Sequence, residues 1–328
     1  MGTRIADEAP EEALVTNPLP LATEEKLVVL AGSAHPTLAD AVARHLGVRL
    51  GPYGAMRFPD GELDVRVDDL RGLRAVLVQP MPHPAGDSLL ELLLLADACR
   101  RAGARSVTAV VPYMGYARQD HRTVPGQALA MRVVADLLGA RRVDRILAVD
   151  LHSDTIEGFF DGPLEHVSAV PVLAEAVRAT ATRGSVIVAP DLGAAKRARE
   201  YARALELPMA IVRKTRLGPL DVSADALVGD VRGFRPILVD DMISTGVTLD
   251  AAVRVLRAER CAAEITVVAT HGVFVESAAD RLRSLDLKRI VVSDTLPLPA
   301  SMTGACDVVS LAPRIAEVVR RVVIGQST

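Results

Sequence analysis

An α/β fold, built of mainly parallel sheets with helices on their faces, is what this sequence predicts, and three observations predict it. Short β-branched apolar runs recur along the chain, segments with apolar residues at three- and four-residue spacing lie between them, and most runs end in a polar cluster. A strand covered on both faces by crossover helices needs apolar side chains on both. It therefore reads as a continuous apolar run rather than an alternating one.

Taken in order, Leu27–Ala31 opens as a strand and Leu38–Leu46 follows as an amphipathic helix. Ala75–Gln79 and Val107–Pro112 are strands on either side of the helix Leu89–Arg101, and the helix Ala128–Leu138 leads to the strand Ile146–Leu151. The second half repeats the alternation: strand Val186–Ala189, helix Ala194–Leu205, strand Ala210–Arg213, strand Ile237–Asp240, helix Leu249–Arg257, strand Ile265–Thr270, helix Ala278–Leu285 and strand Ile290–Ser293. Gly103 and Gly139 stand where a helix end wants a residue free to take positive φ.

Two such blocks in 328 residues, half of them apolar, predict two domains, with the boundary in Gly162–Val172: residues 27–166 and 167–328. Residues 1–26 are an N-terminal extension, rich in Glu, Ala and Pro, and predicted to be disordered; they lack the basic-then-apolar order of a secretion signal. The net charge of -3 offers no basic footprint for nucleic acid, so phosphate recognition is expected to be local. The longest apolar run, Leu89–Cys99, is broken by Glu91 and Asp97 and is too short for a bilayer. Cys99, Cys261 and Cys306 are scattered without CxxC spacing, which suits ordinary buried thiols in a reducing cytoplasm.

In open parallel sheets ligands collect at the carboxyl ends of strands. The strand Ile237–Asp240 delivers Asp240 and Asp241, and Ser244-Thr245-Gly246-Val247-Thr248 then leads into a helix. Unsatisfied N–H groups at a helix start, the helix dipole and three hydroxyls make an anion cradle, while the two carboxylates suit sugar hydroxyls or a metal. The plainer alternative is a Thr248 helix cap beside two solvated acids. Asp150-Leu151-His152 and Pro190-Asp191-Leu192-Gly193 close two further strands, and their oxygen and imidazole ligands can complete a magnesium or manganese shell; a hydrogen-bonded structural histidine is the competing reading of His152.

Arg118, Gln119 and Asp120 lie in the Tyr- and Arg-bearing stretch Pro112–Arg122, where guanidinium groups can grip polyphosphate, although a solvated loop would look the same. Arg57-Phe58-Pro59-Asp60-Gly61-Glu62 places an aromatic beside two acids on a turn, suited to stacking a purine or simply to the core. Lys214-Thr215-Arg216 is expected on an exposed loop that runs into Leu217-Gly218-Pro219, a mobile segment able to close over developing charge, although two cations on a loop are commonplace and by themselves favour the plain reading.

Together these pieces resemble the ribose-phosphate pyrophosphokinase family, the phosphoribosyl pyrophosphate synthetases, from about Leu30 to Ile315. The likeness is carried by Leu30-Ala31-Gly32, Phe58–Glu62, Gly115–Asp120, Val149–His152, Gly158–Asp161, Pro190–Gly193 and Val239–Met242. It implies two tandem type I phosphoribosyltransferase-like domains, the first on the ATP side and the second on the ribose 5-phosphate side, with the last helix packing back on the first. It also implies transfer of a diphosphoryl group from ATP to ribose 5-phosphate. By the same resemblance Phe58, Asp60, Gly61, Glu62, Arg118, Gln119 and Asp120 bind ATP, and Asp240, Asp241 and Ser244 to Thr248 bind ribose 5-phosphate. Lys214 and Arg216 are implied to be catalytic, His152 and Asp191 to hold Mg2+ or Mn2+, and the chain to form a dimer or hexamer. Ser244 stands where an acid is frequent in the family and Val247 where glycine is usual, so a differently shaped cradle is expected. Two alternatives are a phosphoribosyltransferase using the same cradle and a non-catalytic regulatory paralogue.

Overall fold

The computed structural model describes residues 26–216, 222–275 and 277–324. The predicted N-terminal tail, but for Lys26, and Leu217-Gly218-Pro219 lie outside the described residues. The first half runs β1 (Leu27–Ala31), α1 (Pro36–Leu46), β2 (Tyr53–Arg57), β3 (Leu63–Val67), β4 (Arg74–Val78), α2 (Ala85–Arg101), β5 (Ser106–Val111), α3 (Ala130–Ala140), β6 (Arg145–Val149) and β7 (Leu164–Val167). The second runs α4 (Val170–Arg178), β8 (Ser185–Ala189), α5 (Ala195–Leu205), β9 (Met209–Arg216), β10 (Val222–Val228), β11 (Arg235–Ile243), α6 (Val247–Ala258), β12 (Thr266–Gly272), α7 (Ala278–Ser284), β13 (Arg289–Ser293), β14 (Asp307–Val309) and α8 (Ala312–Val319).

A five-stranded parallel sheet, β1-β4-β5-β6-β7, and a seven-stranded sheet, β10-β9-β8-β11-β12-β13-β14, follow from this order. The second is parallel except for β10, which returns antiparallel along β9. Alternation along each strand divides the apolar side chains between two faces. In β1, Leu27 and Val29 face the layer between the sheets, while Val28 and Leu30 pack under α2 and α3. In β8, Ile187 and Ala189 join that same middle layer, while Val186 and Val188 face α6 and α7. The middle layer, filled by α1, α4, α5 and α8, is one continuous core shared by both sheets. Each fully buried Val, Leu or Ile in it contributes about 2 kcal/mol. The terminal helix α8 packs against α1, and Arg320 donates to the carbonyl of His45 at 2.6 Å.

All nine predicted strands and six predicted helices form, with ends shifted by a few residues. The predictions omitted β2, β3, β7, β10, β14, α4 and α8; these are short, or mixed in polarity, or, like β10, held by a neighbouring strand. Gly162–Val172 is not a structureless link, since it holds β7 and the start of α4. Gly103 takes φ 83 after α2 as expected, whereas Gly139 lies inside α3 and Arg142 adopts the left-handed conformation at φ 55. Lys214 and Arg216 are not on a loop: their backbones belong to β9 and pair with Ala224 and Val222 of β10. Burial pushes the Cys99 thiol up to about 12 and the Cys306 thiol up to about 11, as unreactive structural cysteines require.

Candidate active site

Strand ends of both sheets meet in a cleft of about 260 Å³, walled by Arg118 and His152 from the first sheet and by Asp191, Arg197, Asp240, Asp241 and the Ser244–Thr248 turn from the second. The turn is an anion cradle by geometry. Gly246 adopts φ 76 and is the N-cap of α6, with no side chain capping the helix start. The capping alternative for Thr248 therefore fails, and among the described residues the hydroxyls of Ser244, Thr245 and Thr248 bond to no other protein group. Val247 opens the helix with ordinary negative φ, so the usual glycine is not required there; the one left-handed position is Gly246. The turn is pinned from below by Arg281, whose guanidinium donates to the Thr245 carbonyl.

The acids are not at the strand end, as expected, but inside the strand: β11 continues through Asp240 and Asp241 to Ile243, drawn on by pairing with His271 and Gly272 of β12. Asp241 is buried, and its Oδ2 lies 2.6 Å from Nδ1 of His152, a bond that joins the two halves of the chain. Burial pushes the Asp241 carboxyl up, but the bond from His152 and the charge of Arg197 outweigh it and hold the group below the usual carboxylate range. The same bond raises the His152 imidazole above its ordinary value. Asp240 is pushed well up by burial and by the negative charges of Asp241 and Asp191.

This donor set fits a hard divalent cation. Three carboxylates crowd one cleft, and an imidazole oriented by a carboxylate on its other nitrogen is a common metal-ligand arrangement. Among the described residues no group of three or more His, Cys, Asp or Glu encloses an ion by itself. Such a set would be only part of a shell, of the kind phosphate oxygens complete. Asp191 also accepts from the Ala194 backbone N–H at 3.2 Å, which fixes its loop against α5.

Other predicted residues stand elsewhere. Gln119 is exposed and lies next to Arg118, outside the cleft wall. Asp120 bonds to Nδ1 of His121 at 2.6 Å and accepts from Thr155 at 3.4 Å, so it organises its own loop. Phe58, Asp60, Gly61 and Glu62 form the tip of the β2–β3 hairpin: the Phe58 N–H donates to the Glu62 carbonyl at 2.8 Å, Gly61 takes φ 94, and Asp60 accepts from the Glu62 N–H at 3.1 Å. None of the four lines the cleft of its own chain, and the Phe58 ring is 42% exposed. The hairpin is held to α2 by the buried Glu91 carboxylate, which accepts from Tyr53, from Gln79 at 2.9 Å and from the N–H and hydroxyl of Ser33. Gly32 is needed beneath this cluster, because a Cβ there would lie 2.1 Å from Oε1 of Gln79.

Sequence reading missed a buried seam beneath the cleft. Asp150, at φ 38, accepts from the Ala169 N–H at 3.2 Å and from the Thr270 hydroxyl. His271 donates from Nε2 to the carbonyl of Val149 at 3.1 Å and accepts at Nδ1 from Thr295 at 2.9 Å. The seam ties Val149 and Asp150, at and just past the end of β6, and thereby the nearby His152, to the second sheet. A signal existed: Thr270 and His271 close an apolar run, where ligands and polar contacts gather.

Comparison with known proteins agrees with this geometry. Residues 27–141 match the family model for the N-terminal domain of ribose phosphate pyrophosphokinase, and residues 219–328 match that of the phosphoribosyl synthetase-associated domain. The ribose-phosphate pyrophosphokinase of Gloeobacter violaceus is 44% identical over 93% of this chain and 92% of its own length. That of Streptomyces avermitilis is 42% identical over 91% and 94%. The crystal structure of phosphoribosylpyrophosphate synthetase from Mycobacterium smegmatis superposes with a TM-score of 0.86 at 38% identity, covering 92% of this chain and all of that one. Matched by such relatives over nearly its whole length and theirs, the chain belongs to the ribose-phosphate pyrophosphokinase family.

Proposed function

We propose that the chain transfers the diphosphoryl group of ATP to the anomeric hydroxyl of ribose 5-phosphate, forming 5-phosphoribosyl 1-pyrophosphate and AMP. The observation that carries this reading is the meeting of two half-sites in one cleft: the phosphate-and-sugar cradle of β11 and α6, and the cationic strand ends of the first sheet at Arg118 and His152. The anomeric oxygen attacks the β-phosphorus, the bond from that phosphorus to the oxygen it shares with the α-phosphate breaks, the electron pair leaves with AMP, and the hydroxyl proton passes to water. Such a transfer asks for positioning and charge neutralisation more than covalent help.

The 5-phosphate takes the α6 N-terminus and the hydroxyls of Ser244, Thr245 and Thr248, and Asp240 accepts from ribose hydroxyls. Asp241 keeps His152 oriented, and His152 and Asp191 would hold Mg2+ or Mn2+. When bound, the ion neutralises the polyphosphate charge. Lys214 and Arg216, carried on the β9–β10 hairpin, stabilise the charge that develops as AMP leaves. Arg118 and Gln119 engage ATP. The exposed tip Phe58–Glu62 stacks and reads the base bound to a second copy of the chain, so the working unit is a dimer or a hexamer of dimers. In this reading residues 27–166 form the ATP side and residues 167–328 the ribose 5-phosphate side, with the boundary moved just past Val167 because β7 (Leu164–Val167) pairs in the first sheet. Among the described residues no helix is long and apolar enough to cross a membrane, and our reading places the enzyme in the cytoplasm.

The test is direct. Purified protein with ATP, ribose 5-phosphate and Mg2+ should release AMP and phosphoribosyl pyrophosphate in equal amounts; formation of ADP, or no turnover, sinks the reading.

A further inference from the structure

Neither the Leu30-Ala31-Gly32 motif nor the buried Glu91 lines the cleft. Both meet instead under the β2–β3 hairpin. The hairpin forms a two-stranded sheet of its own, and no residue of either strand is buried. Tyr53, Val65 and Val67 rest half-buried on the core beneath α2. Two strands with so little burial are marginal by themselves, so their direction depends on what fastens them.

Among the described residues, polar side chains fasten it to α2 at two points. Near the tip Arg57 reaches Asp87 at 3.4 Å, but both side chains are more than half exposed, and such a pair contributes little. At the base Tyr53 donates its hydroxyl to Oε1 of Glu91, which is 4% exposed. The same carboxylate accepts from the Ser33 N–H at 2.8 Å, from the Ser33 hydroxyl at 2.5 Å and from Nε2 of Gln79 at 2.9 Å. Gln79 in turn accepts from the Ala34 N–H at 3.1 Å. Four donors occupy the four lone-pair sites of the carboxylate, and all four are neutral. Packing alone would be served as well by an apolar side chain of the same size. What the carboxylate adds is direction, since it fixes the β1–α1 loop, the residue after β4 and the hairpin about one point.

We propose that Tyr53 is a positioning residue for the nucleotide. Its bond to Glu91 sets the angle at which the hairpin leaves its own chain, and with it the fit of the tip Phe58–Glu62 to the base held by a second copy. This rests on the reading above that the tip serves a second copy. Tyr53 stands at the foot of β2 and the tip at its far end, so a small rotation is amplified. Five strand residues span about 17 Å, and a tilt of about 10° at the base moves the tip by about 3 Å, enough to lose a stacked ring.

Steady-state kinetics of the full chain test this. In Tyr53→Phe the KM for ATP should rise about 10-fold, the effect of losing one hydrogen bond to a charged group, with the KM for ribose 5-phosphate and the kcat at saturating ATP unchanged. Oligomers co-assembled from Tyr53→Phe and Lys214→Ala chains separate positioning from simple damage. The Lys214→Ala chain carries an intact hairpin, so the active cleft of its Tyr53→Phe partner should regain the wild-type KM for ATP. An unchanged KM for ATP in Tyr53→Phe overturns the proposal. So does a raised KM for both substrates, or one that co-assembly leaves uncorrected, since either marks a loosened chain. Phe58→Ala co-assembled with Lys214→Ala is the control. Rescue there without rescue of Tyr53→Phe ends this proposal alone, whereas no rescue of Phe58→Ala removes the reading on which it rests. Should the wild-type chain release no AMP, the reaction is misassigned; calorimetric titration with ATP then decides, and equal affinity in wild type and Tyr53→Phe overturns the proposal.

Discussion

Replacing Thr270 by valine removes one hydrogen-bond donor from the seam under the cleft while keeping the side chain's shape. Thr270 is fully buried and its hydroxyl donates to Oδ2 of Asp150, which is 4% exposed. After the change Asp150 retains the Ala169 N–H at 3.2 Å; Nε2 of His166 is 3.9 Å away and already accepts from the Leu151 N–H. A hydrogen bond to a buried carboxylate contributes ~1.5–3 kcal/mol, and no cavity is created to add to it, so Thr270→Val should cost about 2–3 kcal/mol. Thr270→Ser keeps the donor and loses one buried methyl, at a cost of about 1 kcal/mol. The order of stability, serine above valine, is the reverse of what hydrophobicity alone gives. Urea unfolding followed by far-ultraviolet circular dichroism measures it, since the chain has no tryptophan to report. A valine variant as stable as the serine variant would refute the seam as an energetic link between the sheets.

Three further outcomes are expected. In Asp241→Asn the pH dependence of stability should flatten: the lowered Asp241 carboxyl contributes stability above its ordinary 3.8 that is lost as pH falls through the lowered value, and the raised His152 imidazole contributes fully below 6.5 and loses it as pH rises through the raised value. Wild-type unfolding curves from pH 4 to 9 should show this contribution greatest between those two ordinary values, and a variant profile parallel to wild type would contradict the pairing. Gly246→Ala forces a Cβ onto φ 76, a strain of ~1–2 kcal/mol; calorimetry should find weaker ribose 5-phosphate binding, and undiminished affinity would mean the cradle does not depend on that turn. Lys214→Ala should abolish most AMP release while leaving the circular dichroism spectrum intact, and wild-type turnover in that variant would remove Lys214 from the reaction.

Much of the cleft wall was legible because its residues close apolar runs buried on both faces. Such runs announce themselves, and the polar residues that end them, His152, Asp191 and Asp240, are brought together in the cleft. The exact end of a strand was not legible. β11 extends through both acids because β12 continues beside it, and Lys214 lies in a strand because β10 returns along β9. These are pairings with residues distant in sequence, and no local pattern encodes them. The hairpin tip Phe58–Glu62 was legible as a turn, but its separation from the cleft of its own chain depends on Tyr53 reaching Glu91 on α2.

What the sequence by itself determined is the set of local facts: alternating buried strands and amphipathic helices, a helix start rich in hydroxyls, paired acids and scattered cations, with the motif order of one family. The tertiary structure decided which of these act together. His152 meets Asp241 across 89 positions of sequence, and Thr270 meets Asp150 across 120. The physical reason is that periodicity reports which side of an element is buried, whereas charge pairing and desolvation depend on what two sheets, packed over one core, bring to the same few ångströms.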